Sequence, residues 1–570
     1  MKKIVRFISL LLLLFLSLPL FSQGRKEEAN KKMEWFKDAK LGIFVHYGIY
    51  AVNGIDESWS FYNGYITYDD YMKQLKGFTA SKYNAENWVK LFKEAGAKYA
   101  VLTSKHHDGV ALWKGNFDHY NVVDNSPANR DLIKPFVDAL RKNDMKVGLY
   151  YSLIDWSHPD YPGFMRNSVR YQNDPDRWSK FLKFYFGQVN ELSNRYNPDL
   201  FWFDGDWEHN ADEWKAPALR KQILDHNPNA IINSRLAGYG DYGTPEQGVP
   251  ITVPENPYWE LCMTMNDSWG YQPNDHNFKT PYQLIETFVD CISKGGNLLL
   301  DVGPREDGSL PQEEIDILKA FARWTSKHQE AIYGTQKGIP EGHFFGPTAM
   351  SKDGRTLYLY LDHLPNKPFQ VKGLDSEIKK VRIVGSEIKP IIKKENIAGT
   401  LSISIPQKAG DPIITVVAID FTEPLKLKNS TDGISLTQSF IDYLQQDNDW
   451  VKKHMPLVGN WQKGISTLHY AGPSMLSHDK TILYLLMDGK PNGPLVLKGI
   501  KNSINRVWVV GNATRLNWQI LGKLYWSQVP GITYIDVPEN ALDHRDTVVA
   551  VLLDGPISLY TDGGQVIESN

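Results

Sequence analysis

DLFWFDG, residues 199–205, runs a string of aromatics into an acid and a glycine. Side chains alternate along a β-strand, so Trp202 and Asp204 share one face and Phe201 and Phe203 the other. The Phe face suits packing against helices. An aspartate ending so apolar a strand is costly to bury unless it has a function or a partner. The plainer alternative is a structural Asp that caps the segment after it.

Outward from this strand the same kind of run recurs. LGIFVHYG (41–48), YAVLTSKHH (99–107), KVGLYYS (146–152), AIINSR (230–235), WELCMTM (259–265) and NLLLDVG (297–303) read as strands. Amphipathic helical patterns lie between several of them: AENWVKLFKEAG (85–96), RDLIKPFVDALRKN (130–143) and the run from Trp178 to Tyr196. Strand–helix alternation calls for a parallel sheet, and its length fits an α/β fold of the (β/α)8 TIM-like barrel type. The stretch from Leu236 to Trp259 is rich in Gly and Pro and holds no defensible helix, so the barrel is expected to be irregular after its fifth strand.

Catalytic groups of such barrels stand at the C-terminal ends of the strands. The alternation that pairs Trp202 with Asp204 also pairs Phe44 with His46, Tyr150 with Ser152 and Asn233 with Arg235. A lone histidine is usually a satisfied core residue. His46 together with His106 and His107, at the ends of neighbouring strands, points instead to a shared polar site.

Beyond residue 340 short alternating runs such as TLYLYL (356–361) and ITVVAIDF (414–421) indicate antiparallel β-sandwich structure. The segment then repeats. GPTAMSKDGRTLYLYLDHLPNKPFQVKG (346–373) resembles GPSMLSHDKTILYLLMDGKPNGPLVLKG (472–499) at a constant offset of 126, which Trp324 and Trp450, and His328 and His454, also keep. The repeated unit therefore includes the helix before the sandwich. The expected organisation is a removable leader over 1–22, a catalytic barrel over 23–334, a sandwich over 335–425, a linker and packing helix over 426–459 (the helix from about Thr437 to His454) and a duplicated second sandwich over 460–570.

The leader reading rests on Lys2, Lys3 and Arg6, the apolar run from Phe7 to Phe21 and small Ser22 before Gln23. It implies a periplasmic or secreted protein. No Cys follows the leader to carry a lipid anchor, and no second apolar run suggests membrane insertion after its removal. The chain of 570 residues is 42% hydrophobic and 23% charged, an ordinary globular balance. A net charge of -3 gives no reason to expect nucleic acid as a partner. The 17 Trp and 29 Tyr fit a large core or the stacking of apolar sugar faces on rings. Cys262 and Cys291 read as buried thiols rather than a disulfide framework, no Cys/His cluster has zinc spacing, and no metal or cofactor is implied.

Six segments, KLGIFVHYGIY (40–50), SKHHDGVALW (104–113), VGLYYSLIDW (147–156), PDLFWFDGDWE (198–208), GDYGTPEQ (240–247) and NLLLDVGPREDG (297–308), resemble in order the motifs of glycoside hydrolase family 29, the α-L-fucosidases. The resemblance covers roughly residues 33–425. It implies a retaining, exo-acting enzyme that removes terminal α-L-fucose from oligosaccharides or glycoconjugates through a covalent glycosyl-enzyme, on a barrel followed by a sandwich. It implies Asp204 as nucleophile and Glu246 as acid/base, with His46, His106, His107, Tyr150, Trp202 and Arg235 around the sugar and Trp59 and Trp269 against its methyl group. Many members carry Glu immediately before the loop Trp. Here Ser58 holds that place and Glu57 lies one residue earlier, so Glu57 is the candidate for the missing sugar contact.

Glu260 is the alternative acid/base, and otherwise a partner of Arg235. Asp206 and Glu208 read as rim positions. Two other functions stay open at this point: a relaxed glycosidase of the same family acting on α-L-galactosides, for which Ser58 is the only support, and a catalytically silent carbohydrate-binding protein. The second sandwich has no counterpart in minimal members. It is expected to be an accessory unit without catalytic groups, its helix packed on its own sandwich or on the first copy, with Trp508, Trp518 and Trp526 as candidates for a sugar platform.

Overall fold

The structure is a computed structural model and describes residues 31–117, 119–428, 446–454, 457, 461–524 and 527–562. The leader, the start of the packing helix near Thr437 and Trp526 lie outside those residues.

Seven parallel strands form the barrel wall: β1 (Leu41–Val45), β2 (Tyr99–Lys105), β3 (Lys146–Ser152), β4 (Leu200–Asp204), β5 (Ile231–Ile232), β6 (Glu260–Met263) and β7 (Asn297–Val302). They pair in the order β6-β7-β1-β2-β3-β4-β5. The gap between β5 and β6 is closed by residues 242–247, where the sequence shows no strand pattern. Asn233 bridges Tyr242, Gly243 bridges Trp259 and Glu246 bridges Cys262, all in parallel. This irregular stave completes the ring, and Tyr242, Thr244 and Glu246 alternate along it.

Two cores follow from the strand alternation. Phe44, Tyr150, Trp202, Tyr242 and Cys262 pack together inside the barrel. Phe201 and Phe203 belong to the outer core, shared with the helices. Those helices are α1 (Ala85–Glu94), α2 (Ile133–Lys142), α3 (Pro175–Tyr196), α4 (Ala216–His226), α5 (Pro281–Ser293) and α6 (Gln312–His328). Their starts are locally encoded: Asn84 and Asp174 cap the backbone N–H groups of Asn87 and Arg177, and Thr280 with Gln283 forms a reciprocal capping box ahead of Pro281. Among the described residues no helix lies between His226 and Pro281, so residues 242–247 and β6 lack the backing helices of a regular barrel.

The C-terminal part holds two sets of antiparallel sheets that repeat each other. In the first, a five-stranded sheet spans Gln336–Lys337, Thr348–Met350, Thr356–Leu361, Thr415–Phe421 and Ile378–Ile383, in that spatial order. It faces a three-stranded sheet of Phe369–Val371, Leu401–Ser404 and Ile391–Lys394. The second set has the same order: Trp461–Lys463, Ser474–Ser477, Ile482–Asp488, Asp546–Leu553 and Ile504–Val509, facing Leu495–Lys498, Ile532–Ile535 and Trp518–Leu521. The repetition reaches single hydrogen bonds. Trp324 donates its indole N–H to Ile414 O at 3.0 Å, and Trp450, on α7 (Asn448–Lys453), donates to Asp546 O at 2.9 Å. His343 and His469 bond the carbonyls of Lys372 and Lys498 at 2.7 and 2.8 Å.

The helix of the second sandwich packs on its own sheet, one of the two expected places, as the Trp450 bond to Asp546 shows. The sandwich itself docks on the barrel, a contact the repeat does not indicate. Val496, Ile532 and Tyr534 are buried in the same core as Leu284 and Phe288 of α5. Lys498 reaches Glu286 at 2.8 Å and Asp290 at 3.0 Å on that helix. The physical reason is the three-stranded sheet, whose apolar outer residues need cover that its own domain does not supply. Trp508 and Trp518 are half-buried against the second sandwich's own cores, so neither is an open platform.

Candidate active site

The strand ends converge on Asp204, as the alternation requires. Tyr150 donates its hydroxyl to Asp204 Oδ2 at 3.0 Å, Arg235 Nη1 bonds Oδ1 at 3.0 Å, and His107 Nε2 stands 3.6 Å from Oδ2. Arg235 continues to Glu246, with Nη2 to Oε2 at 2.8 Å, and its Nε donates to Thr244 at 3.1 Å. One guanidinium thus holds both carboxylates side by side. It lies over the Trp202 ring at 4.6 Å from the centroid, a cation–π contact that fixes its plane. The Asp204 and Glu246 side chains keep 12% and 13% exposure, enough to meet a ligand entering from the open end.

Consecutive residues of a regular strand face opposite ways, yet His106 and His107 both reach the site. The strand register shifts between Thr103 and Lys105, and β2 ends at Lys105, so both histidines lie past the pleat. Ser152 donates its hydroxyl to Ile154 O at 2.8 Å and therefore accepts from His107 Nδ1 at 2.5 Å. His107 then presents Nε2 as an acceptor beside Asp204. His106 Nδ1 is hydrogen-bonded to Ser58 at 2.7 Å, and His46 Nδ1 to Asp301 at 2.6 Å. Burial holds all three imidazoles well below the usual histidine value, so they are neutral near pH 7. Burial also raises the Glu246 carboxyl, against the pull of Arg235 and with the push of Asp204.

The aromatic wall is larger than the sequence indicated. Trp269 packs on His46 at 5.0 Å. Trp59 meets His107 edge-on at 5.5 Å and stacks toward Trp207 at 6.1 Å, with Trp156 at 5.1 Å behind it. Trp207 and Trp156 follow Asp204 and Ser152 closely in the chain, and their place after strand ends was the signal available. Asp301 was likewise legible in NLLLDVG as a polar strand end. Glu208 holds the wall by accepting from Trp156 at 3.0 Å and Tyr161 at 2.5 Å, while Asp206 accepts from Ala237 N at 3.0 Å and is raised to about 6 by burial.

Two candidates are engaged elsewhere. Glu260 is fully buried, and its oxygens accept from Trp202 Nε1 at 3.0 Å and from the Tyr99 hydroxyl. Its hydrogen bonds go to the floor of the barrel rather than to Arg235, and it has no open path to a ligand. Glu57 accepts from Gly270 N at 2.5 Å, which ties the Trp59 loop to the Trp269 loop, and burial raises its carboxyl to about 8. Both cysteines are buried and free, and Cys262 lies under Arg235, whose Nη2 is 3.8 Å from its sulfur.

Comparison with known proteins gives the family. A family model described as alpha-L-fucosidase matches residues 22–330, more than half of the chain. The chain belongs to the α-L-fucosidase family. It is a glycoside hydrolase. The tissue alpha-L-fucosidase of Bos taurus is 31% identical over 359 residues, covering 58% of this chain and 75% of that protein. The plasma alpha-L-fucosidase of Homo sapiens is 32% identical over 338 residues, 54% of this chain and 70% of that one. Among solved structures, alpha-L-fucosidase isoenzyme 1 from Paenibacillus thiaminolyticus superposes with a TM-score of 0.65 at 33% identity, covering 70% of this chain and all of that one. A Bacteroides thetaiotaomicron family 29 fucosidase, caught as a covalent intermediate with 2-fluoro-fucosyl fluoride, gives a TM-score of 0.62 at 26% identity over 70% of this chain and 96% of that one. The two solved fucosidases are matched nearly end to end, and each match covers 70% of this longer chain.

Proposed function

We propose that this protein is a retaining, exo-acting α-L-fucosidase in which Asp204 is the nucleophile and Glu246 the acid/base. The observation that carries the reading is the Arg235 bridge, which sets two partly exposed carboxylates side by side in a pocket of neutral histidines and tryptophans. Retaining hydrolysis needs such a close carboxylate pair. Asp204 attacks the anomeric carbon as the glycosidic bond breaks, and Glu246 gives its proton to the departing oxygen. The raised Glu246 carboxyl keeps that proton at hand. Once Asp204 is esterified its negative charge is gone, and with it one of the pushes that raise Glu246. Glu246 then ionises more readily and takes a proton from the water that releases fucose.

His46, His106 and His107, held by Asp301, Ser58 and Ser152, are fixed donors and acceptors for ring hydroxyls. Trp59 and Trp269 offer apolar faces to the C5 methyl that most hexoses lack. The substrates are terminal α-L-fucosyl groups of oligosaccharides or glycoconjugates. The basic and apolar leader supports export to the periplasm or beyond.

One experiment tests both roles. Asp204→Ala is expected to lose turnover by orders of magnitude and to regain it on an activated aryl fucoside when azide is added. Glu246→Ala is expected to harm fucosyl disaccharides far more than aryl fucosides, because an acid matters most for a poor leaving group. Near-normal activity of Asp204→Ala, or the leaving-group pattern in Glu260→Ala instead, refutes the assignment.

A further inference from the structure

The stave that carries Glu246 is the weak point of the barrel. Among the described residues it pairs through isolated bridges, and no helix backs it. Directly after Glu246, Gln247 adopts φ of 55°, a left-handed conformation that is unfavourable for a residue bearing a side chain. Such a conformation persists only where the surroundings impose it. On the barrel side Gln247 N donates to Cys262 O at 2.9 Å and its side-chain amide to Thr264 at 3.0 Å.

Further support comes from the second sandwich. Gly522, at φ of 71°, lies so close that a Cβ there would fall 2.4 Å from the Gln247 carbonyl oxygen. A Cβ on Gly248 would fall 2.5 Å from Val529 Cγ1. Further along, Ile251 N donates to Asp562 O and the Thr252 hydroxyl to Thr561 O, each at 3.3 Å. The second sandwich therefore touches this segment from Gln247 to Thr252, in the stretch where a regular barrel would have begun its next helix. These contacts join the second sandwich to the segment that carries Glu246.

We propose that the second sandwich is a positioning element of the active site, which holds residues 246–252 through Gly522, Val529, Thr561 and Asp562 so that Glu246 stays beside Arg235 and the scissile bond. The proposal rests on Glu246 being the acid/base. Misplacing an acid harms only those substrates that need it, so the readout is leaving-group dependence rather than overall activity.

Gly248→Ala tests it. Gly248 lies outside the left-handed region, so alanine fits the backbone, but its methyl group collides with Val529. The expected result is a fall in kcat of about 10- to 100-fold on a fucosyl disaccharide, the scale of an ångström-sized misplacement. On 4-nitrophenyl fucoside the change is expected to stay small. Adding Val529→Gly to Gly248→Ala removes the whole colliding side chain, whose Cβ would otherwise stand 3.0 Å from the new methyl, and is expected to restore most of the lost rate. If Gly248→Ala does not fold, the double variant Val529→Gly with Thr252→Val, which only removes contacts, is expected to show the same split in weaker form. Equal effects on both substrates, no effect on either, or no recovery in the double variant overturn the proposal. Glu246→Ala measured alongside separates the two readings: if it shows no split, the acid assignment has failed; if it does and the Gly248 series does not, only the positioning role has.

Discussion

Replacing Lys498 with methionine is expected to loosen the second sandwich from the barrel. Lys498 is 8% exposed and is the cation between Glu286 and Asp290, at 2.8 and 3.0 Å. At an effective dielectric of 20, charges about 3 Å apart attract by roughly 5–6 kcal/mol, much of which offsets the cost of desolvating them. Taking away one partner leaves buried carboxylates uncompensated, which typically costs about 3–5 kcal/mol. Lys294 still bonds Asp290 at 2.5 Å, and a cavity of about 370 Å³ borders Glu286, Asp290 and Lys498, so water can reach the vacated place. Both features favour the lower end, near 3 kcal/mol. With a urea slope of about 2–3 kcal/mol per M, the midpoint should fall by about 1–1.5 M.

The pH dependence of the deficit has a definite sign. Burial already raises Glu286 although Lys498 opposes it, and without the ammonium its folded value rises further. A carboxyl whose folded value lies above its unfolded one binds a proton on folding. The deficit should therefore be largest at neutral pH and shrink as pH falls through the raised folded value toward about 4, the unfolded value. Glu286→Gln in the Lys498→Met background should recover part of the loss. Urea denaturation of the full chain at pH 7 and pH 5 reads all of this. Unchanged midpoints, or a deficit that grows on acidification, would refute the argument.

Two further outcomes are expected. Because burial depresses His46, His106 and His107, the folded protein holds them neutral while the unfolded chain takes up protons below about 6.5, so their share of the stability declines as pH drops through that value, opposite in sign to the share of the buried Glu57 carboxyl, raised to about 8; His107→Gln should therefore lose less of its urea midpoint than the parent between pH 7 and pH 5.5, and equal losses would contradict it. Ser58 is buried against His106 rather than leaving a gap, so fucose should remain the best glycone, with kcat/KM about 10- to 100-fold above the matching L-galactoside, the usual discrimination of an apolar pocket against one added hydroxyl. Comparable rates on the two aryl glycosides would show a relaxed pocket.

Much of this protein is written locally. Period-two alternation in the seven strand segments separates core-facing Phe201 and Phe203 from site-facing Trp202 and Asp204, because pleat geometry depends only on neighbouring residues. The duplicated sandwiches are equally legible, since a repeat at offset 126 reproduces the same local bonds at Trp324 and Trp450. Residues 242–247 do not read as a stave because Gly243 and Pro245 interrupt them and their pairing is a set of bridges. The folded chain alone decided that Arg235 joins Asp204 to Glu246, that Tyr99 and Trp202 occupy Glu260, and that Glu57 turns to Gly270. Lys372 and Lys498 hold the same place in the repeat, yet it is Lys498 that meets the carboxylates of α5. Sequence determines which side chains share a face; which partner that face meets depends on long-range packing, where a few ångströms decide between an ion pair and open water.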